Sequence, residues 1–382
     1  MRIGVIGAGH AGVEAARTAR VGGAEVTLFS AEDVLPYHRP RLAALAFGQA
    51  DFAAIQSHPP AWYEREGITL RAPACATALN AEAATVVVEG RPAEFDGLVI
   101  ASGARPSLPP FAAQGAPFVL PLWDAAHANA IRQRVVRGHR LVVVGGGILG
   151  IEAALRGLDA GMSVTVVEHL DRLMPVQFGA SASTVLLLRL EEKGIAVILG
   201  HRINRADPGP ASVALALDDG RRLEAELCIV SIGVHPDKRL AVAAGLAAER
   251  GVLVDRTLRT SSPRCFAAGD VIQFAGLTRC SAQEAATQGR IAGANVVAAL
   301  RAEALQTYQP GSLPLVFRAK DFEIYSLGAP GGIGYEEHLL EGTTESVIRS
   351  LVLKDGIPLG VQMIGTRAGF DEYVAAIQQR RG

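Results

Sequence analysis

Two glycine sets have spacings that imply a specific chemistry. Gly7, Gly9 and Gly12 stand in "GAGHAG" directly after the apolar run 3–6, and Glu32 follows twenty residues after the last of them. Glycine at these positions permits a tight strand-to-helix turn and lets backbone N–H groups approach a pyrophosphate. The helix N-terminus favours the phosphate charge, and an acid at this distance accepts from ribose hydroxyls. Gly145, Gly147 and Gly150 repeat the arrangement after residues 141–144, and Glu168 ends the next apolar run. A carboxylate there bonds a 2′-hydroxyl and repels a 2′-phosphate, which favours NADH over NADPH. His169 and Arg172 beside it read as solvated residues rather than phosphate ligands.

Such loops need buried parallel strands and a following helix, and the sequence supplies both twice. Residues 2–32 are echoed by 140–168 as strand, glycine turn, helix, glycine, strand and acid. The runs 3–6, 26–29, 141–144 and 164–167 suit fully buried strands, and two βαβ units imply two doubly wound domains. Between them lie a Pro-rich stretch, "GARPSLPPFAAQGAPF" (103–118), and a helix expected over 124–136. After the second unit come a hairpin-like region, "SVALALDDGRRLEAELCIVSIG", a strand ending at Asp270 and a helix over 281–300. "QTYQPGS" (306–312) reads as a second linker, and the rest as a small α+β domain with a terminal helix. The expected domains are 1–112 with 243–308 for the first cofactor, 113–242 for the second, and 309–382.

A chain of 382 residues has room for several cores. Lys plus Arg at 37 nearly cancels Asp plus Glu at 38, which argues against nucleic acid or an anionic membrane as a bulk electrostatic partner. Only four lysines occur, so nearly all the cationic charge is arginine. The apolar stretch 141–158 is broken by glycines, Glu152 and Arg156, and so reads as strand plus helix rather than a membrane span. The N-terminus shows no secretion signal, and Cys75, Cys228, Cys265 and Cys280 have neither metal-ligand spacing nor a disulfide framework. A cytoplasmic setting and no metal are expected.

Taken in order, "GAGHAG", "VIASGARP", "VVVGGGILGIE", "VSIGVHPD" and "TLRTSSPRCFAAGD" are similar to the pyridine nucleotide-dependent flavoproteins, across residues 1–305. "PYHRPRLA", "AWYEREGITL" and "LVFRAKDFEIYSLG" most resemble NADH:rubredoxin reductases and their ferredoxin-reductase relatives. The resemblance implies FAD at the first glycine set and NADH at the second. It places Asp270 at the ribityl chain, Ala76 at the adenine, Ala101 and Gly103 beneath the cofactor, and Ala282 near the flavin at a helix start. His10, Ala11, Arg105, Leu149 and Gly233 join the cofactor contacts, with Ile148 at the nicotinamide where many relatives carry an aromatic residue. Glu152 corresponds to a family glutamate near both rings; a buried glutamate without a partner is costly, which favours a functional role. Arg39 and Arg318 match lysines that reach towards the flavin, and Arg41 is the other candidate cation of the turn. Pro40 disfavours helix at Arg39 and stiffens that turn. The arginine that many relatives place before the helix after "VLPLW" is missing.

What is absent sets the subclass. Disulfide reductases of this family need cysteine after the first βαβ unit, and residues 1–71 have none. Electrons are therefore expected to leave directly from the flavin, and the resemblance implies that NADH supplies them and that a small acidic one-electron carrier such as rubredoxin or ferredoxin receives them. Arg39, Arg41, Arg279 and Lys320 are candidates for a local basic docking rim on a monomer or homodimer. The competing readings are a peroxide-forming NADH oxidase and a flavin-binding subunit or redox sensor. Cys280 is expected to be a small packed residue.

Overall fold

The duplicated apolar runs become the central strands of two parallel sheets. The computed structural model describes residues 1–113, 117–311, 313–320 and 322–379. Residues 114–116 of the Pro-rich stretch, residue 312 of the second linker and residues 321 and 380–382 of the expected C-terminal domain lie outside the described residues. The chain divides into two units. One comprises Met1–Pro106, Trp123–Ala125 and Val234–Gly311; the other comprises Ser107–Leu122, Ala126–Gly233 and Ser312–Gly382.

In the first unit the strands run in the order Cys265–Ala267, Gly97–Ile100, Arg2–Ile6, Glu25–Phe29 and Ile68–Arg71, and every pair is parallel. Ile3, Val5, Val26, Leu28 and Val99 are fully buried, as expected of a parallel sheet covered on both faces. The helices His10–Val21 and Ala282–Leu300 approach closely because Gly289 meets the Ala11 backbone: a Cβ there would lie 2.2 Å from the Ala11 carbonyl oxygen. A three-stranded antiparallel sheet of Ala76–Asn80, Thr85–Val88 and Arg91–Glu94 is appended.

The second unit repeats this plan. Its strands are ordered Ala196–Leu199, Ser163–Glu168, Arg140–Val144, Leu227–Val230 and Val119–Pro121, again all parallel. The expected hairpin region forms the antiparallel strands Val213–Leu217 and Arg222–Ala225, and Ile203–Pro208 adds a third strand before it. The same unit contains a five-stranded antiparallel sheet in the order Leu315–Ala319, Phe322–Gly328, Ile357–Ile364, Ile348–Lys354 and Glu336–Leu339. Helix Phe370–Gln379 buries Phe370 and Ile377 with Tyr325, Val361 and Met363 of that sheet. Asp355 and Gly356, both at positive φ, close its tight hairpin, as a primed turn requires.

Two local expectations change. The helix expected over 124–136 is Ala125–Arg132. Val135 and Val136 lower helix propensity, and Gly138 leaves the helix to donate its N–H to Gly161. Arg39, where Pro40 was expected to disfavour helix, begins a single 3₁₀ turn, Arg39–Arg41. Pro40 sits within the first two positions, where no intrahelical N–H is needed, so its ring imposes no loss.

Candidate functional site

Each unit carries one glycine loop at the end of its central strand. Gly7, at φ +103°, turns the chain out of strand Arg2–Ile6, and a Cβ there would lie 2.1 Å from the Ala101 carbonyl oxygen. A Cβ on Gly12 would lie 1.7 Å from the Gly7 oxygen, whereas one on Gly9 would meet nothing within 4 Å. Two glycines therefore close the turn, and the third leaves its side open. Gly9 caps helix His10–Val21 without a side-chain hydrogen bond, and the first turn has no acid. The second loop matches: Gly145 (φ +112°) and Gly150 are jammed against the backbone oxygens of Ser231 and Gly145, Gly147 is open, and no side chain caps Ile148–Asp159. Uncapped helix N-termini beside an open backbone fit the pyrophosphate of a dinucleotide.

Around the first loop, Glu32 accepts from the Tyr37 hydroxyl at 2.7 Å and from Arg39 Nη2 at 2.9 Å. Burial, together with the Glu32 carboxylate, pushes the Tyr37 phenol up and keeps it a donor. Arg39 also donates to the Trp123 carbonyl, with its guanidinium 5.0 Å from that ring's centroid and 5.4 Å from Tyr37's. Arg41 donates instead to the Ala54 carbonyl and is exposed. His10 Nε2 lies 3.4 Å from His38 Nδ1; burial, then the charges of His38 and Arg39, depress the His10 imidazole. Burial raises the Asp270 carboxyl to about 6, with Arg39 and a hydrogen bond from Cys280 holding it down in part.

Cys280 is not packed as expected: the residue is exposed. Its thiol is pushed up to about 12 by burial of the sulfur and by Asp270, so it stays protonated at neutral pH. The last strand of the sheet ends three residues before Asp270, whereas Cys280 directly precedes the Ser281 cap, where the chain is still irregular. Ala101 is buried, Ala76 is partly buried at a strand start, and Gly103 (φ +72°) accepts from the Asp237 N–H at 2.9 Å. Arg105 pairs with Asp237 at 3.8 Å, and Ala282 is the first residue of its helix. Ala11 packs beneath Gly269 and Gly289.

Around the second loop, Glu168 is 5% exposed and accepts from the N–H groups of Gly146 at 2.6 Å and Leu170 at 2.8 Å, with His169 Nδ1 at 2.9 Å. Those bonds hold the carboxylate beside the glycine turn. Arg172 pairs with Asp171. Glu152 is 8% exposed and has the partner that its sequence position did not require: Arg156, one turn on, bonds its Oε1 at 2.7 Å. Burial still raises the Glu152 carboxyl, with Arg156 opposing. The argument from an unpartnered buried glutamate therefore falls, and the i,i+4 spacing was the signal that it would. Ile148 begins the helix, Leu149 is 45% exposed, and Gly233 stands at φ +98°.

In the C-terminal sheet, Arg318 donates to the Tyr325 hydroxyl at 2.8 Å and lies 4.0 Å from Glu323. Tyr37 and Trp123, which hold Glu32 and Arg39, were missed in the sequence. Tyr37 lies in the quoted turn, but Trp123 is joined to it only through the fold. Among the described residues no helix is long and apolar enough to cross a membrane. His201, Asp218 and Asp219 could together hold a metal ion, but all three are engaged in ion pairs with one another or with Arg221.

The pyridine nucleotide-disulphide oxidoreductase family matches residues 1–291. The ferredoxin–NAD(+) reductase component of the biphenyl dioxygenase system of Paraburkholderia xenovorans is 34% identical over 277 residues, 70% of this chain and 67% of that protein. Rhodocoxin reductase of Rhodococcus erythropolis is 29% identical over 96% of this chain and 86% of its own length. Among solved structures, the covalent putidaredoxin reductase–putidaredoxin complex aligns with a TM-score of 0.88 at 26% identity, covering 99% of this chain and 93% of that one. With two glycine loops of matching geometry, each at the end of a duplicated parallel sheet, the chain belongs to the pyridine nucleotide-disulphide oxidoreductase family.

Proposed function

We propose that the chain is an FAD-dependent NADH oxidoreductase that passes electrons to a small iron–sulfur carrier. The observation that supports this most directly is the pair of uncapped glycine loops, each with an acid at its ribose position, in a chain whose cysteines are all free. Its relatives by sequence are reductases of ferredoxin and rhodocoxin systems. Residues 1–112 with 243–308 take FAD, residues 113–242 take NADH, and residues 309–382 form the third domain.

When bound, the flavin supplies the conversion of a hydride from NADH into single electrons. The protein does the rest. Gly9 and the first turn of helix His10–Val21 receive the FAD pyrophosphate, with Glu32 at the adenosine ribose. Arg39 steadies Glu32, and Asp270 accepts from the ribityl hydroxyls. Gly147 and the start of helix Ile148–Asp159 receive the NADH pyrophosphate. Glu168, already fixed by two backbone amides, bonds the 2′-hydroxyl and repels a 2′-phosphate. Cys280 holds its proton and takes no part in thiolate chemistry.

The test is anaerobic titration of the FAD-loaded protein with each nucleotide. NADH is expected to bleach the flavin band at least tenfold faster than NADPH at equal concentration. A band that NADH leaves intact would refute the proposal.

A further inference from the structure

The first turn of helix Ala282–Leu300 contains a buried acid that the function above does not use. Ser281 caps this 19-residue helix, and its Oγ accepts from the Glu284 N–H at 3.5 Å. In a Ser-x-x-Glu box the glutamate side chain ordinarily reaches back to the cap's own N–H. Here Glu284 is 5% exposed, and its Oε1 accepts from the hydroxyl of Tyr308. Tyr308 is 3% exposed, lies edge-on to Phe274 at 5.2 Å, and is fixed by its own N–H to the Arg256 carbonyl. Gln288 Nε2 donates to the Tyr308 oxygen at 3.0 Å, and Gln288 Oε1 accepts from the N–H of Gly269 at 2.8 Å. A continuous chain of buried hydrogen bonds thus joins Glu284 to the amide immediately before Asp270. Gly269 itself lies against Ala11 and Ala285, so the starts of both helices and the Asp270 turn meet here.

The charge of Glu284 has only one neighbour of opposite sign among the described ion pairs, Arg279 at 3.6 Å, and the Arg279 side chain is 41% exposed. Solvent screens the arginine more than the glutamate. A carboxylate in the first turn offsets the positive end of the helix, which would otherwise favour negative charge on a ring placed at that end. Glu284 therefore opposes the charge that a flavin gains on reduction.

We propose that Glu284, held by Tyr308, which Gln288 in turn holds, lowers the reduction potential of the flavin and so makes it a stronger donor to the carrier. This rests on the flavin lying at the start of helix Ala282–Leu300.

The experiment is spectroelectrochemical titration of the FAD-loaded protein. Glu284→Gln keeps the acceptor oxygen for Tyr308 and removes only the charge. It is expected to favour the two-electron reduced flavin about tenfold, a rise of about 30 mV. Arg279→Gln, which leaves Glu284 in place and removes its counter-charge, is expected to move the potential in the opposite direction. A Glu284→Gln protein that retains FAD at the wild-type potential overturns the inference, because a merely structural glutamate would alter FAD affinity or melting temperature alone. If Glu284→Gln does not retain FAD, an unchanged potential in Arg279→Gln overturns it. A wild-type protein that takes up no FAD fails at the earlier step and overturns the flavoprotein reading, and this inference with it.

Discussion

At the scale of single residues, Asp270 carries the clearest consequence. Its carboxyl stands at about 6 rather than the ordinary 3.8, raised chiefly by burial. The folded protein therefore holds that proton more tightly than the unfolded chain, and ionising the group costs stability. The cost is absent below about pH 4, grows as pH rises to about 6, and is constant above. In the cofactor-free protein, Asp270→Asn is expected to match wild type at pH 4. At pH 7.5 it is expected to be more stable by about 3 kcal/mol, read by urea unfolding. Equal stabilities at pH 7.5 would contradict the assignment. Glu32 and Glu168 were singled out by their spacing from the glycine loops, and Asp270 by the family resemblance. The Trp123 carbonyl that Arg39 donates to was not legible, because it lies 84 residues further along the chain. Nor does a sequence reveal that a carboxylate in a capping position will turn inward to a tyrosine 24 residues on.

At the scale of elements, the two strand–loop–helix units were readable from continuous apolar runs followed by glycine, and their strands form at the expected places. Ends were less readable. The helix after Trp123 stops at Arg132, and the Pro40 turn is 3₁₀, because short-range propensity competes there with hydrogen bonds made elsewhere in the fold. The glycines within one loop separate packing from binding. Gly12→Ala drives a Cβ into the Gly7 carbonyl and is expected to abolish folding or lower the melting temperature by more than 10 °C. Gly9→Ala has room and a backbone that alanine adopts, so it is expected to leave the cofactor-free melting temperature within about 2 °C while weakening FAD binding at least tenfold. Thermal unfolding and FAD titration of both variants check this. Similar melting losses in the two would contradict the division of roles.

At the scale of the whole molecule, the near-zero net charge leaves no broad field to gather an acidic carrier. The duplicated sheet order was legible from the 2–32 and 140–168 repeat, because equal sequence units fold into equal strand orders. That electrons leave the flavin without a thiol relay was read from what is missing, since residues 1–71 carry no cysteine. On the proposed function, electrons leave the flavin directly for a one-electron carrier. The most direct measurement is stopped-flow reoxidation of the NADH-reduced, FAD-loaded protein by a ferredoxin and by rubredoxin, against air-saturated buffer, at low and high salt. A carrier is expected to reoxidise the flavin at least a hundredfold faster than oxygen, with a rate that falls as salt rises. Oxygen outpacing every carrier, with peroxide formed in step with NADH consumed, would contradict the account.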